Sequence, residues 1–526
     1  MTYIKKVILQ STNDSGTPVN IPGDSYGHME VAIHSPKLPF DSIHTEKLLP
    51  VFQTDAVYGI NSGLVNTTSS GTGSATTDDS SFSVSTGTTS LSFATIQSRK
   101  RLRYRAGQGV IRRFAGFFTT PVANSYQLIG FGHADDGVYF GYGDTNNLSN
   151  TEFGILYVNR GVREVRTLTI TTASTTAQNI TITLNGTANT IAVTNSNNIQ
   201  RTVYEIATGS YTGWTAYPSG ATIVFVRNTA GTASGTYSIT ATTAAGSFAQ
   251  TKAGAASTDL FIPQSSWNGD KLDGTGPSGV TIDPTKGNVF EIGIQYLGYG
   301  DIEFKVEVVS SSGDNNATFV TVHTLTFPNT RTKTTFSNPS FPFTMATYSA
   351  GSTTNLTVKV GSFAGFIEGE KVLHGNRFSY FNSSTSVSSS AYLPLFTVLN
   401  SLYYGGRANQ AVVNLLSIAA ALKHTNPCVI YVIKNGTLSG NPNFASFASN
   451  SCTLIDTAAT AVTFSTNDQL LWSGHMGDTG QILFEFSQGV QEITLQPGEY
   501  LTIAAKSLGA GSPNFVTASL NTREDQ

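Results

Sequence analysis

The chain has 526 residues, of which 12% are charged and 10% aromatic, and its net charge is −3. This balance excludes a disordered polyelectrolyte, because the aromatic residues can fill a core, and it gives no general attraction to nucleic acid. No stretch is long and apolar enough to span a membrane as a helix. The abundant Gly, Ser, Thr and Asn, with few helix-forming runs, predict a large all-β protein with long turns.

Residues 1–60 are predicted to form an extended N-terminal arm. Pro36, Pro39 and Pro50 prevent a helix and disrupt pairing within a central strand. Apolar side chains nevertheless lie among and after these prolines, and they require burial. The candidate interface residues of the arm are therefore Phe40, Leu48, Leu49 and Phe52. We expect the arm to dock on a neighbouring subunit.

Residues 61–90 are rich in Ser, Thr and Gly, and this composition predicts a linker. Alternation of apolar and polar residues begins at about residue 91. Residues 288–309 show it most clearly, because Phe290, Ile292 and Ile294 share one parity and Ile302 and Phe304 resume it after a turn. We predict an antiparallel hairpin there, within a jelly-roll-like β-sandwich of residues 91–166 and 257–370.

Residues 98–113, SRKRLRYRAGQGVIRR, carry seven of the thirty basic side chains. The arginines alternate with Leu102 and Tyr104, which predicts a strand. The sequence AGQG predicts a turn after it, and VIRRFAGFF is predicted to be the partner strand. The candidate interface residues of this hairpin are Arg99, Arg101, Arg103, Arg105, Arg112 and Arg113. A nucleic-acid site needs interleaved aromatics and a wider positive face, so a subunit interface or plain surface is favoured and nucleic acid is unlikely.

Residues 167–256 alternate Thr with Ile, Val or Leu and contain few charges. We predict a small β-sandwich inserted into a loop of the larger one, with a short helix at residues 198–207. Insertion at a loop tip costs little closure entropy.

Residues 371–526 are predicted to form a C-terminal β-sandwich. The run NQAVVNLLSIAAALKHTN has helical propensity, but its position among strands favours a strand. Cys428 and Cys452 are expected to be buried free thiols rather than a disulfide. No Cys or His pair has metal-ligand spacing, GTGPSG lacks the flanking strand and helix of a dinucleotide site, and no catalytic set stands out. We therefore predict no metal, no cofactor and no enzymatic activity.

Three stretches of the chain resemble virion structural proteins of tailed phages and of large double-stranded DNA viruses of microbes. They are the arm LPFDSIHTEKLLPVFQTDAVYGIN leading to QSRKRLRYRAGQGVIRRFAGFF, the middle block IPQSSWNGDKLDGTGPSGVTIDPTKGNVFEIGIQYLGYGDIEFKVE, and the tail LQPGEYLTIAAKS to SLNTREDQ. The resemblance covers most of the chain outside the inserted segment. It implies no catalytic residues.

The resemblance implies a non-enzymatic structural protein of the virion, made in the host cytoplasm. Its partners would be other virion proteins and further copies of itself, with a homo-oligomer, preferably a trimer, as the assembled state. Both a minor capsid component and a spike, fibre or tail appendage for host attachment fit this description. The alternatives are a glycan-binding receptor protein, contacting host-surface sugars through Trp214, Trp267 or Trp472, and a glycan-active enzyme.

Overall fold

The computed structural model describes residues 10–12, 18–20, 48–133, 136–143, 148, 151–159, 161–256, 259–309, 317–369, 375–404, 407–423, 426–440, 442–465, 469–486, 493–509 and 514–525. Almost all regular structure in this part of the chain is antiparallel strand, so the predicted all-β fold of several sheets is confirmed. Most of the predicted arm, including Phe40, lies outside the described residues. Among the helices of the described residues, none has the length and hydropathy of a membrane-spanning segment.

The first strands in chain order are β1 (Gln10–Thr12), β2 (Pro18–Asn20), β3 (Leu48–Asp55), β4 (Val65–Ser70), β5 (Ser74–Asp78), β6 (Ser81–Ser85), β7 (Ser92–Leu102), β8 (Val110–Phe118), β9 (Ser125–Gly132), β10 (Asp136–Tyr142) and β11 (Phe153–Asn159). Residues 61–90, predicted to be a linker, therefore supply β4, β5 and β6. Val65, Phe82 and Val84 are buried there. The Ser and Thr residues around them mark the exposed positions of real strands, since Thr suits a pleated, half-buried surface.

An insert follows β11, with β12 (Arg163–Thr172), β13 (Gln178–Leu184), β14 (Thr187–Val193), helix α1 (Ile199–Ala207), β15 (Trp214–Ser219), β16 (Thr222–Ala230), β17 (Ser238–Thr240) and β18 (Ala245–Lys252). Two sheets, sheet 3 in the order β15-β16-β12-β18 and sheet 4 in the order β14-β13-β17, enclose its own apolar core. The predicted short helix is confirmed. Asn198 caps it by accepting hydrogen bonds from the backbone N–H groups of Gln200 and Arg201.

The chain then continues with β19 (Leu260–Pro263), a 3₁₀ turn (Gln264–Ser266), β20 (Asn288–Ile294), β21 (Ile302–Val309), β22 (Ala317–Leu325), β23 (Phe341–Ser349) and β24 (Thr357–Glu368). These strands complete the first sandwich. Sheet 1 has the order β19-β11-β10-β9-β23-β7-β4, and sheet 2 the order β22-β21-β20-β8-β24-β6-β5. The predicted hairpin is confirmed, since β20 and β21 pair and bury Phe290, Ile292 and Phe304.

The prediction that β7 and β8 form a hairpin is wrong. β7 pairs with β4 and β23 in sheet 1, whereas β8 pairs with β20 and β24 in sheet 2. Residues 103–109 therefore cross from one layer of the sandwich to the other. Leu102 and Val110, at the two ends of this crossing, are buried in the same core, because the apolar faces of the two strands pack against each other instead of lying side by side.

The described end of the predicted arm also belongs to the first sandwich. β3 pairs with β24, and its Phe52 is buried in the core between the sheets. Pro50 lies where the register of this pairing shifts, which is a position that tolerates a missing N–H. Leu48 and Leu49 are half-buried. This part of the segment therefore packs on its own chain.

The last part of the chain forms the C-terminal sandwich, with β25 (Asn376–Phe381), β26 (Thr385–Val387), β27 (Leu393–Asn400), β28 (Tyr403–Tyr404), β29 (Arg407–Ala408), β30 (Val412–Lys423), β31 (Cys428–Lys434), β32 (Thr437–Ser439), β33 (Ala445–Ser446), β34 (Thr453–Asp456), β35 (Ala461–Thr463), β36 (Leu470–Met476), β37 (Gln481–Glu485), β38 (Thr494–Leu495), β39 (Tyr500–Ser507) and β40 (Asn514–Asp525).

Sheet 5 of this sandwich has the order β25-β40-β30-β37, and sheet 6 the order β33-β34-β27-β39-β31-β36. The first and last long strands, β25 and β40, are neighbours in sheet 5. The long strands divide between the layers as in a jelly roll, with β25, β30, β37 and β40 in sheet 5 and β27, β31, β36 and β39 in sheet 6. The predicted strand at β30 is confirmed. Cys428 and Cys452 are buried and free, as predicted.

Candidate functional site

The outer face of sheet 5, which we call the sheet-5 face, carries large apolar side chains in solvent. One cross-strand row runs through Phe381, Ser519, Ala419 and Leu483, one residue from each strand. Phe381 is 74% exposed and Leu483 69% exposed. Because small residues separate them, the row forms a groove of about 700 Å³ with Phe381 and Leu483 on its two sides.

The next part of the same face is polar. Ser379, Asn521, Ser417 and Glu485 form a parallel row, and the Asn521 amide donates to the Ser417 hydroxyl at 2.8 Å. A second hollow of about 540 Å³ lies there, lined also by Arg377. The sheet-5 face therefore passes from an apolar end to a charged end.

The apolar surface continues around the edge of the sandwich at β37. Phe484 is stacked on Trp472, with ring centroids 5.1 Å apart and planes at 28°. A side chain at Gly474 would collide with the Trp472 ring, so this glycine makes room for the stack. β37 is an edge strand of the described part of sheet 5. An exposed, apolar edge strand is a site for contact with another chain.

Three of the predicted arginines contact the C-terminal sandwich of the same chain. Arg99 pairs with Glu499 at 3.2 Å, while Arg103 and Arg105 pair with Asp525 at 3.4 and 2.8 Å. We call this group the arginine clamp. Burial lowers the pKa of Arg103, and the Asp525 charge opposes that shift. Strand β7, through Arg99, and the crossing segment, through Arg103 and Arg105, thus make ionic contacts with the C-terminal sandwich of the same chain.

Arg101, Arg112 and Arg113 have other environments. Arg112 is fully buried, with its guanidinium carbon 5.5 Å from the ring centroids of both Phe131 and Phe341. Its Nη2 donates to the Pro339 carbonyl at 3.4 Å, and burial lowers its pKa to about 9.

Burial also lowers the pKa of Arg101, to about 10. Arg113 pairs with Glu291 at 2.6 Å within sheet 2. None of these three guanidinium groups contributes to the arginine clamp in the described residues.

Two of the three tryptophans proposed for glycan contact are core residues. Trp214 is 6% exposed in the core of the insert, and Trp267 is 2% exposed in the core of the first sandwich. Neither presents a ring face to a sugar, since both rings are used for packing. Trp472 is half-buried beneath Phe484.

The sheet-5 face was not predicted from the sequence. The sequence feature that could have revealed it is the run QILFEF. Ile482, Phe484 and Phe486 point to one side of the strand, and Leu483 is an apolar residue on the other side. A strand of a half-buried sheet is apolar on one parity only, so this departure indicates a second apolar contact. Within the described ranges, no group of three or more His, Cys, Asp or Glu residues could hold a metal ion.

No family model and no curated protein matches this sequence. Among solved structures, one match is a GH43 glycoside hydrolase whose active site was engineered to give both endo-xylanase and exo-arabinofuranosidase activity. The identity is 11% and the TM-score 0.23, over 68% of this chain and 48% of that chain. The chain thus spans about half the length of that protein. A similarity this low carries no argument about fold or function.

Proposed function

We propose that the protein is a non-enzymatic structural component of a virus particle and that it assembles as a homo-oligomer through the sheet-5 face. The observation that carries the assembly is the exposed row of Phe381 and Leu483 across an otherwise alternating jelly-roll sheet. The virion location rests on the resemblance of three stretches of the sequence to virion structural proteins. Other virion proteins are the further partners of this proposal.

The shape of the face favours a second copy of the chain as its occupant. Leu483 projects from the β37 edge, and the groove between Phe381 and Leu483 has a floor of Ala and Ser. The Leu483 edge of one copy can enter the groove of the next. A trimer is the homo-oligomer that the resemblance to virion structural proteins implies.

The assembly is tested with the full-length chain by analytical ultracentrifugation. We expect a mass of three chains for the unaltered protein and of one chain for Leu483→Asp, because a carboxylate placed in the contact must be desolvated. Leu508→Asp, at another exposed leucine of the same sandwich, is the matched control and should stay trimeric. A monomeric unaltered protein, or a trimeric Leu483→Asp with an unchanged unfolding curve, would refute the proposal.

The virion location is tested separately by immunogold electron microscopy of purified particles. Label at a tail tip, vertex or fibre would identify an attachment appendage, whereas label over the shell would identify a capsid component. Particles that carry no label, intact or opened, would exclude both.

A further inference from the structure

The outer face of sheet 1, in the first sandwich, contains a second groove of about 540 Å³, which we call the sheet-1 groove. One cross-strand row across it is formed by Asn66, Gln97, Thr344, Gly130 and Tyr139, each paired with the next. The volume lies within the roughly 300–1,000 Å³ of small-ligand sites. The groove lies apart from the sheet-5 face, so ligand binding in it is independent of the proposed assembly.

The polar side chains on the floor of the groove are held in position. Gln97 Nε2 donates to Thr344 Oγ1 at 2.9 Å and to the Gly132 carbonyl at 3.3 Å, while Thr344 Oγ1 donates to the same carbonyl at 2.9 Å. Gln97 Oε1 has no hydrogen-bond partner within the described ranges. The amide therefore presents a fixed acceptor to a ligand without further ordering of the side chain.

Tyrosine rings form the opposite side of the groove. Tyr139 lies across Gly130, Gly132 and Gly137, and a side chain on any of these glycines would collide with it. Tyr126 is half-buried and packs against Tyr348 at 5.3 Å between ring centroids. The glycines thus allow the Tyr139 ring, which is 7% exposed, to lie close against the sheet, so the half-buried Tyr126 supplies most of the accessible aromatic surface of this wall.

Charge is missing from the lining of this groove. None of the described residues that line it is Asp, Glu, Lys or Arg, and His133, whose Nε2 lies 3.3 Å from the Asn338 carbonyl, is its one imidazole. Large exposed apolar side chains like those of the sheet-5 face do not occur among these lining residues either. A neutral ligand with many hydroxyl groups and some apolar C–H surface matches this chemistry.

We infer that the sheet-1 groove binds a neutral oligosaccharide. Sugar hydroxyls meet Gln97, Thr95 and Asn66, while the C–H face of a pyranose ring lies against Tyr126 and the rim of Tyr139. A peptide fits the groove less well, because the polar floor would cover few of its apolar side chains. An anionic polymer also fits less well, because none of the described lining residues is Lys or Arg.

Calorimetric titration of the full-length chain tests this inference. The probes are neutral hexasaccharides (malto-, cello-, xylo-, manno- and N-acetylchito-series), with oligogalacturonate as the anionic comparison. We expect at least one neutral series to bind, and Gln97→Leu and Tyr126→Ala each to weaken it by about tenfold or more, since each removes a contact to the ligand. The near-isosteric Thr95→Val removes a single hydroxyl and should weaken binding less while preserving the strand.

Gln250→Leu is the matched control, because Gln250 is an exposed strand glutamine of the insert. The affinity of this variant for the neutral oligosaccharide should equal that of the unaltered protein. Three results would overturn the inference. They are the absence of binding by every neutral series, binding by the anionic probe alone, and equal affinity in the unaltered protein, Gln97→Leu and Tyr126→Ala.

Discussion

The first sandwich and the C-terminal sandwich share a two-layer architecture but place their large apolar side chains differently. Phenylalanines fill the first core, with Phe343 stacked on Phe363 at 3.9 Å and Phe140 near Phe290 at 4.7 Å between centroids. Val, Ile, Leu and Ala dominate the second core. Aromatic rings there also lie outside, as Phe381 does. Rings inside a core stabilise the fold, whereas rings outside are available to a partner.

Two fully buried charges, Glu524 in the C-terminal sandwich and Arg112 in the first, differ in how their hydrogen bonds are satisfied. Glu524, fully buried, accepts hydrogen bonds from the Ser451 and Thr453 hydroxyls and the Cys452 N–H at 2.5, 3.0 and 2.7 Å. Arg112, equally buried, has the single Pro339 carbonyl, and its Nε and Nη1 lack a hydrogen-bond partner among the described residues. A buried charge is tolerated when its hydrogen bonds are satisfied and is costly when they are not.

The largest expected effect tests the difference between the two cores. Phe140→Ala should lower the free energy of unfolding of the first sandwich by about 3–5 kcal/mol, because it leaves a cavity among packed rings. Trp267 reports it, since its ring lies 6.3 Å from that of Phe140, while Trp472 reports the C-terminal sandwich. Urea unfolding of single-tryptophan versions separates the two signals. In a Leu483→Asp background, where we expect single chains, Phe381→Ala should change the free energy of unfolding by less than about 0.5 kcal/mol. Comparable losses from Phe140→Ala and Phe381→Ala would remove the distinction.

The next effect has opposite signs in the two sandwiches. Arg112→Met should raise the free energy of unfolding by about 1–3 kcal/mol. The unbranched Met side chain would fill much of the space between Phe131 and Phe341 without a buried charge. Glu524→Gln should lower it by about 1–3 kcal/mol, since charge-assisted hydrogen bonds are lost. The same two fluorescence signals measure both. A destabilised Arg112→Met would mean that the guanidinium is satisfied after all.

A smaller effect concerns the arginine clamp that joins the two sandwiches. Asp525→Asn removes the negative charge that Arg103 and Arg105 share. The free energy by which each folded sandwich stabilises the other, measured from the Trp267 and Trp472 unfolding transitions, should fall by about 1 kcal/mol. The difference should shrink at high salt. Asp283→Asn, which breaks the exposed pair with Lys286, is the control and should leave both transitions in place. Identical coupling in Asp525→Asn and Asp283→Asn would contradict an energetic role for the clamp.

The smallest effect is a pH dependence confined to the first sandwich. Burial lowers the pKa of His323 from 6.5, and its Nδ1 accepts the Asn268 N–H at 3.2 Å. Because the unfolded chain takes up the proton first, the first sandwich should lose stability as the pH falls below 6.5 and regain it above. His323→Gln should flatten this slope in the Trp267 signal, whereas His475→Gln, at an exposed position of β36, should not. An unchanged slope in His323→Gln would assign it to other groups.

Local patterns in the sequence predicted local structure well. The hairpin of β20 and β21 follows from the periodicity of contiguous residues, and helix α1 lies where a short helix was predicted. Such signals depend on neighbours in the chain, and tertiary packing did not override them here. Strand β30 was predicted from its position among strands, against its own helical propensity.

Pairing between distant strands was not accessible in the same way. β24 lies between β6 and β8 in sheet 2 although it comes much later in the chain, so the alternation of β8 alone could not identify its partners. The sheet-5 face needs Phe381, Ala419, Leu483 and Ser519 from four strands. In the sequence, the one sign of that face is the run QILFEF, which has apolar residues on both sides of its strand. The burial of Trp214 and Trp267 depends on residues from distant parts of the chain that pack over them.

The insert begins and ends at neighbouring positions of sheet 1. Tyr157 of β11 is paired with Leu260 of β19, and the Asn159 N–H donates to Asp259 at 3.1 Å. A single recombination event at this junction can therefore add or delete the whole module while every strand order of the first sandwich is kept. A foreign domain with close termini can be inserted at the same junction.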